Sequence, residues 1–272
     1  MNREELIMSK VIDHYNTVVS LGFEVVAVFL QGSQNYELDE YSEEYTSDVD
    51  TKCIILPKLS DFVNGNDPYS STYILPNDEH IDIKDIRVMF EMFKKQNNSF
   101  IEILFTKYFV INPKYEELVQ KLLLNREKIA RMNFNLALKA MAGTSHQKLI
   151  ALEHHYPSVK HKIEKFGYDP KQLHHILRVN DLMKKFINKE NLYADILVPN
   201  HAPFLLKIKK GILPLSEARR LALETDQDTK RLKEENLDPS GIFDPEAVAF
   251  LDELKFIFIK RFLKEEVLKD EE

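Results

Sequence analysis

The sequence predicts an α+β fold, with a small mixed sheet and flanking helices over residues 1–112 and a helical domain over residues 113–272. Two observations carry this reading. Short β-branched and aromatic runs alternate with helical periodicity in the first part. From Lys114 onward the periodicity is helical almost throughout, punctuated by Pro157, Pro170, Pro199, Pro203, Pro214, Pro239 and Pro245. Asn112-Pro113 marks the change, and a chain of 272 residues can bury a proper core.

Taken in order, residues 3–20 place Leu6, Ile7, Val11, Ile12, Tyr15 and Val18 at helical spacing, and Gly22 stops the helix. EVVAVFLQ and VDTKCIIL read as strands. HIDIK reads as a third, with Ile81 and Ile83 on one face and His80, Asp82 and Lys84 on the other. Between the second and third strands, residues 57–78 carry Pro57, Asn64, Gly65, Asn66, Pro68, Pro76 and Asn77, a loop by composition. Asp85 opens a helix with Ile86, Met89, Phe90 and Phe93 on one side, and FIEILF is a candidate fourth strand. Helices are expected over 114–131, 134–155, 170–189, 215–235 and 245–268.

Composition narrows the function classes. A net charge of −7, from 37 basic and 44 acidic residues, argues against non-specific coating of nucleic acid. The basic stretch from Ser158 to Glu190 reads either as a track for a phosphate backbone or as a solvated helix surface. The single cysteine, Cys53, lies in an apolar run, which points to a buried side chain and a reducing, cytoplasmic setting. The first helix is charged and amphipathic, unlike a signal peptide, and no run approaches eighteen apolar residues, so no membrane association is expected.

The chemistry concentrates between the first two strands. Residues 37–50 hold seven acids and no base: Glu37, Asp39, Glu40, Glu43, Glu44, Asp48 and Asp50. Residues i and i+2 of a strand share a face, so Asp48 and Asp50 stand side by side while Val49 enters the core. Two neighbouring carboxylates repel unless a cation lies between them. Mg²⁺ (or Mn²⁺) suits the pair, because it takes a few carboxylates together with phosphate oxygens and water. Asp82 is the best-placed third carboxylate, with Glu79 and Asp85 as alternatives, Asp85 being the natural cap of its helix. Gly32 lacks a Cβ, which lets backbone N–H groups and the Ser33 hydroxyl approach a polyphosphate.

The order strand, Gly-Ser, loop, Asp-x-Asp, strand, later strand with Asp resembles the DNA polymerase β-like nucleotidyltransferase superfamily. Within it, the chain is most similar to the branch that includes the RNA repair pathway polymerase β family. That branch reads approximately Gly-Ser, two residues, Tyr, then Ser-Asp-x-Asp, standing here as GSQNY and SDVD. DIRVMFEMFKKQNNSFIEILF is similar to a helix and strand bearing an Asn and a Glu, here Asn97 or Asn98 and Glu102. GYDPKQLHHILR is similar to a Gly-Tyr-Asp-x-Lys-x-x-x-His-x-x-Arg pattern, which sets Lys171, His175 and Arg178 on one helix face. Two departures stand out: the loop from Gln34 to Ser47 has fourteen residues, a few more than usual, and Glu37 replaces a common glycine.

The resemblance implies a metal-dependent enzyme that moves a nucleoside monophosphate from an NTP to an acceptor hydroxyl, an RNA 3′ end, and releases pyrophosphate. Asp48, Asp50 and Asp82 would hold the metal, Gly32 and Ser33 the β and γ phosphates, and Lys171, His175 and Arg178 the triphosphate or an RNA phosphate. AMP transfer to a protein and non-catalytic nucleotide binding are the alternatives. The histidines at 154, 155, 161, 174 and 175 lack the cysteine partners and spacings of a zinc site. Ser145-His146 shows no third orienting group for a nucleophile.

Overall fold

The structure is a computed structural model that describes residues 2–41, 46–241 and 243–270. Its elements are α1 (Arg3–Ser20), β1 (Glu24–Gln31), β2 (Asp50–Leu56), α2 (Leu59–Val63), β3 (Ser70–Ile74), β4 (His80–Asp85), α3 (Ile86–Lys94), α4 (Asn98–Ile101), β5 (Phe109–Ile111), α5 (Glu116–Leu124) and α6 (Arg126–Arg131). They are followed by α7 (Phe134–Ala151), α8 (Lys160–Phe166), α9 (Pro170–Ile187), α10 (Tyr193–Ile196), α11 (Ala202–Lys209), α12 (Leu215–Asn236) and α13 (Pro245–Asp270). The chain forms two compact units. The first comprises Met1–Asn35, Asp39–Met132 and Asp244–Glu272, and the second Tyr36–Leu38 and Asn133–Phe243. The expected division at residue 112 is therefore displaced: α5 and α6 stay with the sheet, and α13 returns to it.

The first unit is built on a mixed five-stranded sheet in the order β3-β4-β2-β1-β5. β2 and β4 run parallel, and the other pairs are antiparallel. Helix α1 begins at a capping box formed by Asn2 and Glu5 and ends before Gly22, whose φ of 83° is the left-handed geometry glycine adopts at little cost. Its Ile7, Val11 and Val18 pack in one core with Val28, Leu30, Cys53, Ile55, Ile81 and Ile83 of the strands. The alternation read in HIDIK is seen directly, with Ile81 and Ile83 fully buried. In α3 and α13, Phe90 meets Phe258 edge-on, and Phe258 also meets Tyr115.

Two local expectations fail. FIEILF is helical, split between α4 and a 3₁₀ turn over Glu102–Phe105. Its buried residues Phe100, Ile101, Ile103 and Leu104 follow i, i+3, i+4, and Asn97 caps the Ser99 N–H, so helical period and cap override the β-branched composition. The segment read as loop contains α2 and β3. All five residues of β3 are exposed on the sheet edge, so no apolar alternation announces them.

In the second unit, Leu152, Tyr168, Leu173, Ile176, Ile208, Ala218 and Ala222 share a core. Proline sets its starts: Pro170 is the first residue of α9, and Pro214 immediately precedes α12. Among the described residues, no helix is long and apolar enough to cross a membrane.

Replacing Ile83 by Ala removes a fully buried side chain between α1 and the sheet. It should lower stability by about 2–5 kcal/mol, read as a lower urea midpoint at unchanged m-value.

Candidate functional site

The end of β1 and the start of β2 meet because Gln31 pairs with Asp50 in the antiparallel register. Gly32 follows with φ of 103°, so glycine is demanded by backbone conformation. Space is not the constraint, since an added Cβ would meet only Gln34 Oε1, at 3.6 Å. Ser33–Tyr36 form a single 3₁₀ turn. Asn35 Nδ2 donates to the Leu30 carbonyl (3.0 Å), Thr106 Oγ1 donates to Asn35 Oδ1 (2.7 Å), and Gln34 Nε2 donates to the Asp48 carbonyl (2.6 Å). The turn and the acidic pair are thus tied together. Asp48 is exposed, Val49 is buried and Asp50 is partly exposed, the alternation expected of them.

From the other side, β4 holds the same segment. Glu79 Oε1 accepts from Lys10 Nζ (2.6 Å) and from the Val49 N–H (3.3 Å), and its Oε2 accepts from Asn77 (2.8 Å). His14 completes the cluster, with Nε2 3.4 Å from Glu79 and Nδ1 hydrogen-bonded to Thr51 Oγ1 at 3.0 Å. Burial alone would raise the Glu79 carboxyl. Lys10 and Asn77 outweigh it and hold the group below the ordinary glutamate value. Asp50 Oδ1 accepts from the His80 N–H (2.9 Å) and faces His80 Nδ1 at 3.2 Å.

The register of β2 with β4 pairs Lys52, not Asp50, with Asp82. Both Asp82 oxygens are engaged, one by Lys52 and one by Lys84, each at 2.7 Å. Burial opposes ionisation of Asp82, but Lys52 and then Lys84 hold it below the usual aspartate value. Asp85 caps α3 through the Arg87 N–H and is chelated by the Arg87 side chain. As placed, Asp82 does not fit a ligand's part. Among the described residues, no three His, Cys, Asp or Glu side chains are grouped to hold a metal ion. Asp50 is the first residue of β2 and Asp48 lies just before it, so the two carboxylates expected to share a strand face stand one inside the strand and one outside.

The acidic loop is pinned by Arg3, whose guanidinium takes Asp39 in a two-pronged ion pair at 2.6 and 2.7 Å and also donates to the Gln34 carbonyl. Tyr41 and Thr46 form an isolated antiparallel bridge, while Glu43 and Glu44 lie outside the described residues. Glu37, standing where the resembled family commonly has glycine, has φ of 59°, in the left-handed region.

In the second unit, Asp169 caps α9 by accepting from the Lys171 N–H. Lys171 is exposed, His175 is half-buried, and Arg178 lies over the Tyr36 ring at 4.0 Å. His174, weighed from the sequence only as a zinc ligand, lies at i+3 from Lys171 and so shares the helix face of Lys171 and Arg178. His174 is 4% exposed, and burial, then Arg178, Lys209 and Lys171, push its imidazole down to about 3. His175 is pushed well below its ordinary value by burial, then His174, Arg178, Lys148 and Lys171. Ser145 donates to buried Asp226 at 2.8 Å instead of to His146, which makes it a tie between α7 and α12.

The sequence matches no protein-family model and no curated protein. Among solved structures it is similar to a nucleotidyltransferase-like protein from Exiguobacterium sibiricum 255-15, at 8% identity and a TM-score of 0.30, over 84% of this chain and 75% of that one.

Two predictions follow from these geometries. His14, His174 and His175 all have folded pKa values below the ordinary 6.5, so below that pH the unfolded chain binds more protons than the folded one. Their stabilisation is complete above pH 6.5 and lost downward from it, for His174 as far as about pH 3. The urea midpoint should therefore fall between about pH 7.5 and about pH 5, and His174→Gln should flatten that fall. Separately, Glu37→Gly should raise stability by roughly 0.5–1 kcal/mol in the same assay by relieving the left-handed backbone.

Proposed function

We propose that this chain is a nucleotidyltransferase that transfers a nucleoside monophosphate from an NTP to an acceptor hydroxyl, with an RNA 3′ end as acceptor, and releases pyrophosphate. The observation that carries the reading is the pairing of Gln31 with Asp50. It brings the Gly32-Ser33 turn beside Asp50, and Gln34 ties the backbone of Asp48 to the same turn, which supports reading the segment as a phosphate-and-cation site.

Gly32 and Ser33 contact the β and γ phosphates. Asp48 and Asp50 hold a divalent cation, Mg²⁺ or Mn²⁺, which when bound offsets phosphate charge and favours attack at the α-phosphorus. Gln34 keeps Asp48 in register with the turn, and Glu79 and the His80 N–H fix the backbone and carboxylate on either side of Val49. The acceptor hydroxyl must lose a proton on attack. Asp50 is the carboxylate nearest an imidazole, that of His80, whose partly exposed ring can take that proton onward. Lys171, His175 and Arg178 serve as phosphate contacts in the helical unit.

A second reading, a non-catalytic nucleotide-binding protein, is favoured by one observation, the engagement of Asp82 by Lys52 and Lys84. One assay separates the two. Purified protein is incubated with each α-labelled NTP, Mg²⁺ or Mn²⁺, and total RNA, beside Asp48→Asn/Asp50→Asn. Label should enter RNA and fall by about a hundredfold or more in the variant. Label in a protein band would redirect the reading to protein AMP transfer. Equal incorporation by both proteins would remove Asp48 and Asp50 from the chemistry, and nucleotide binding without incorporation would favour the second reading.

A further inference from the structure

We infer that β3 is a docking edge for a second copy of this chain: the two β3 strands pair antiparallel about Thr72 and join two five-stranded sheets into one. Nucleotidyl transfer plays no part in this pairing.

β3 forms one edge of the sheet, and all five of its residues are exposed. Its inner side is fixed by β4. The Leu75 N–H donates to the Glu79 carbonyl (2.9 Å) and the Asp85 N–H to the Tyr69 carbonyl (2.8 Å), so in this register residues 69, 71, 73 and 75 turn their backbone groups toward β4. The N–H and C=O groups of Ser70, Thr72 and Ile74 therefore point away from the sheet, and none of them has a partner among the described residues. Edges of this kind are usually guarded by a charged side chain, a proline or a bulge. Ser70–Ile74 contains none of these, and its register with β4 is unbroken. The opposite edge differs, since β5 has three residues and all are half-buried.

What identifies the occupant is the symmetry of the segment PYSSTYILP, Pro68 to Pro76, about Thr72. In an antiparallel pair centred there, Ser70 of each copy meets Ile74 of the other and Thr72 meets Thr72, and each pair exchanges N–H···O=C bonds in both directions. The prolines, which have no N–H to give, meet each other, Pro68 of one copy facing Pro76 of the second. A shift of two residues either way would set a proline against Ile74 or Ser70, whose carbonyl would then lack its donor. A shift of one would set the outward groups against residues whose own groups are already bonded to β4. The prolines thus select a single register. No charged side chain of the strand meets its like across the axis, and Tyr73 and Ile74, 39% and 62% exposed, gain cross-strand neighbours. A two-fold contact uses the same patch on both copies and closes on itself, so assembly ends at a dimer.

The test is the oligomeric state of the full chain, measured by sedimentation equilibrium at up to about 100 µM. Wild type should be a dimer that dissociates on dilution. Thr72→Lys sets two like charges against each other on the two-fold axis from an exposed position, and should raise the dissociation constant by about tenfold or more. Gln120→Lys, which adds the same charge at an exposed position of α5, should leave it unchanged. The register is read separately. With oxidised glutathione, Thr72→Cys should give a disulfide-linked dimer on a non-reducing gel, because the two positions stand about 5.5 Å apart across a hydrogen-bonded pair. Ser70→Cys should not, because its two copies lie about 14 Å apart along the strands. Cys53 is buried and supplies no background, and the cysteine pair decides alone should Thr72→Lys fail to fold. A monomeric wild type at the highest concentration, which would leave the edge to a strand of another protein, overturns the inference. So does a dimer that Thr72→Lys leaves intact, or one that cross-links equally at both cysteine positions.

Discussion

The parallel pairing of β2 with β4 is the constraint on which the candidate site depends. Ile81 and Ile83 must face α1 to be buried, and a shift of one residue would turn them to the opposite face, so the register is fixed by hydrophobic burial. Once fixed, it determines the polar face as well. Lys52 stands beside Asp82, and the backbone of His80 beside Asp50. The electrostatics of the sheet end follow from a demand made by the core beneath it.

Much of this was legible in the sequence. The alternation in HIDIK, the burial of Val49 between Asp48 and Asp50, the capping role of Asp85 and the proline-marked helix starts all reflect local chemistry, and the structure displays each of them. What was not legible depends on distant partners. The engagement of Asp82 by Lys52 and Lys84 is set by strand register, which a list of strands does not contain. The exposed edge strand β3 has no apolar face to give it a period. The return of α13 to the sheet rests on Phe258 meeting Phe90 and Tyr115, residues far earlier in the chain.

Two buried histidines show how differently one side chain can be accommodated. His14 sits against a carboxylate and a threonine, and its burial is partly compensated by Glu79. His174 sits among cations, so burial and charge act on it in the same direction. In the first, Nδ1 shares a hydrogen bond with Thr51 while Nε2 faces Glu79 without one.

The helical unit is an insertion. Asn133 and Phe243 pair where it leaves and re-enters the first unit, and the Asp244 N–H donates to the Met132 carbonyl at 2.7 Å. A ribosome therefore delivers every strand of the sheet before residue 133 and the helix that covers Phe90 and Tyr115 only after residue 243. At ordinary elongation rates the intervening segment takes roughly 5–20 s to make. For that interval the first unit lacks the helix that meets Phe90 and Tyr115, and by its end the insertion has its whole sequence while the unit that carries it is still incomplete.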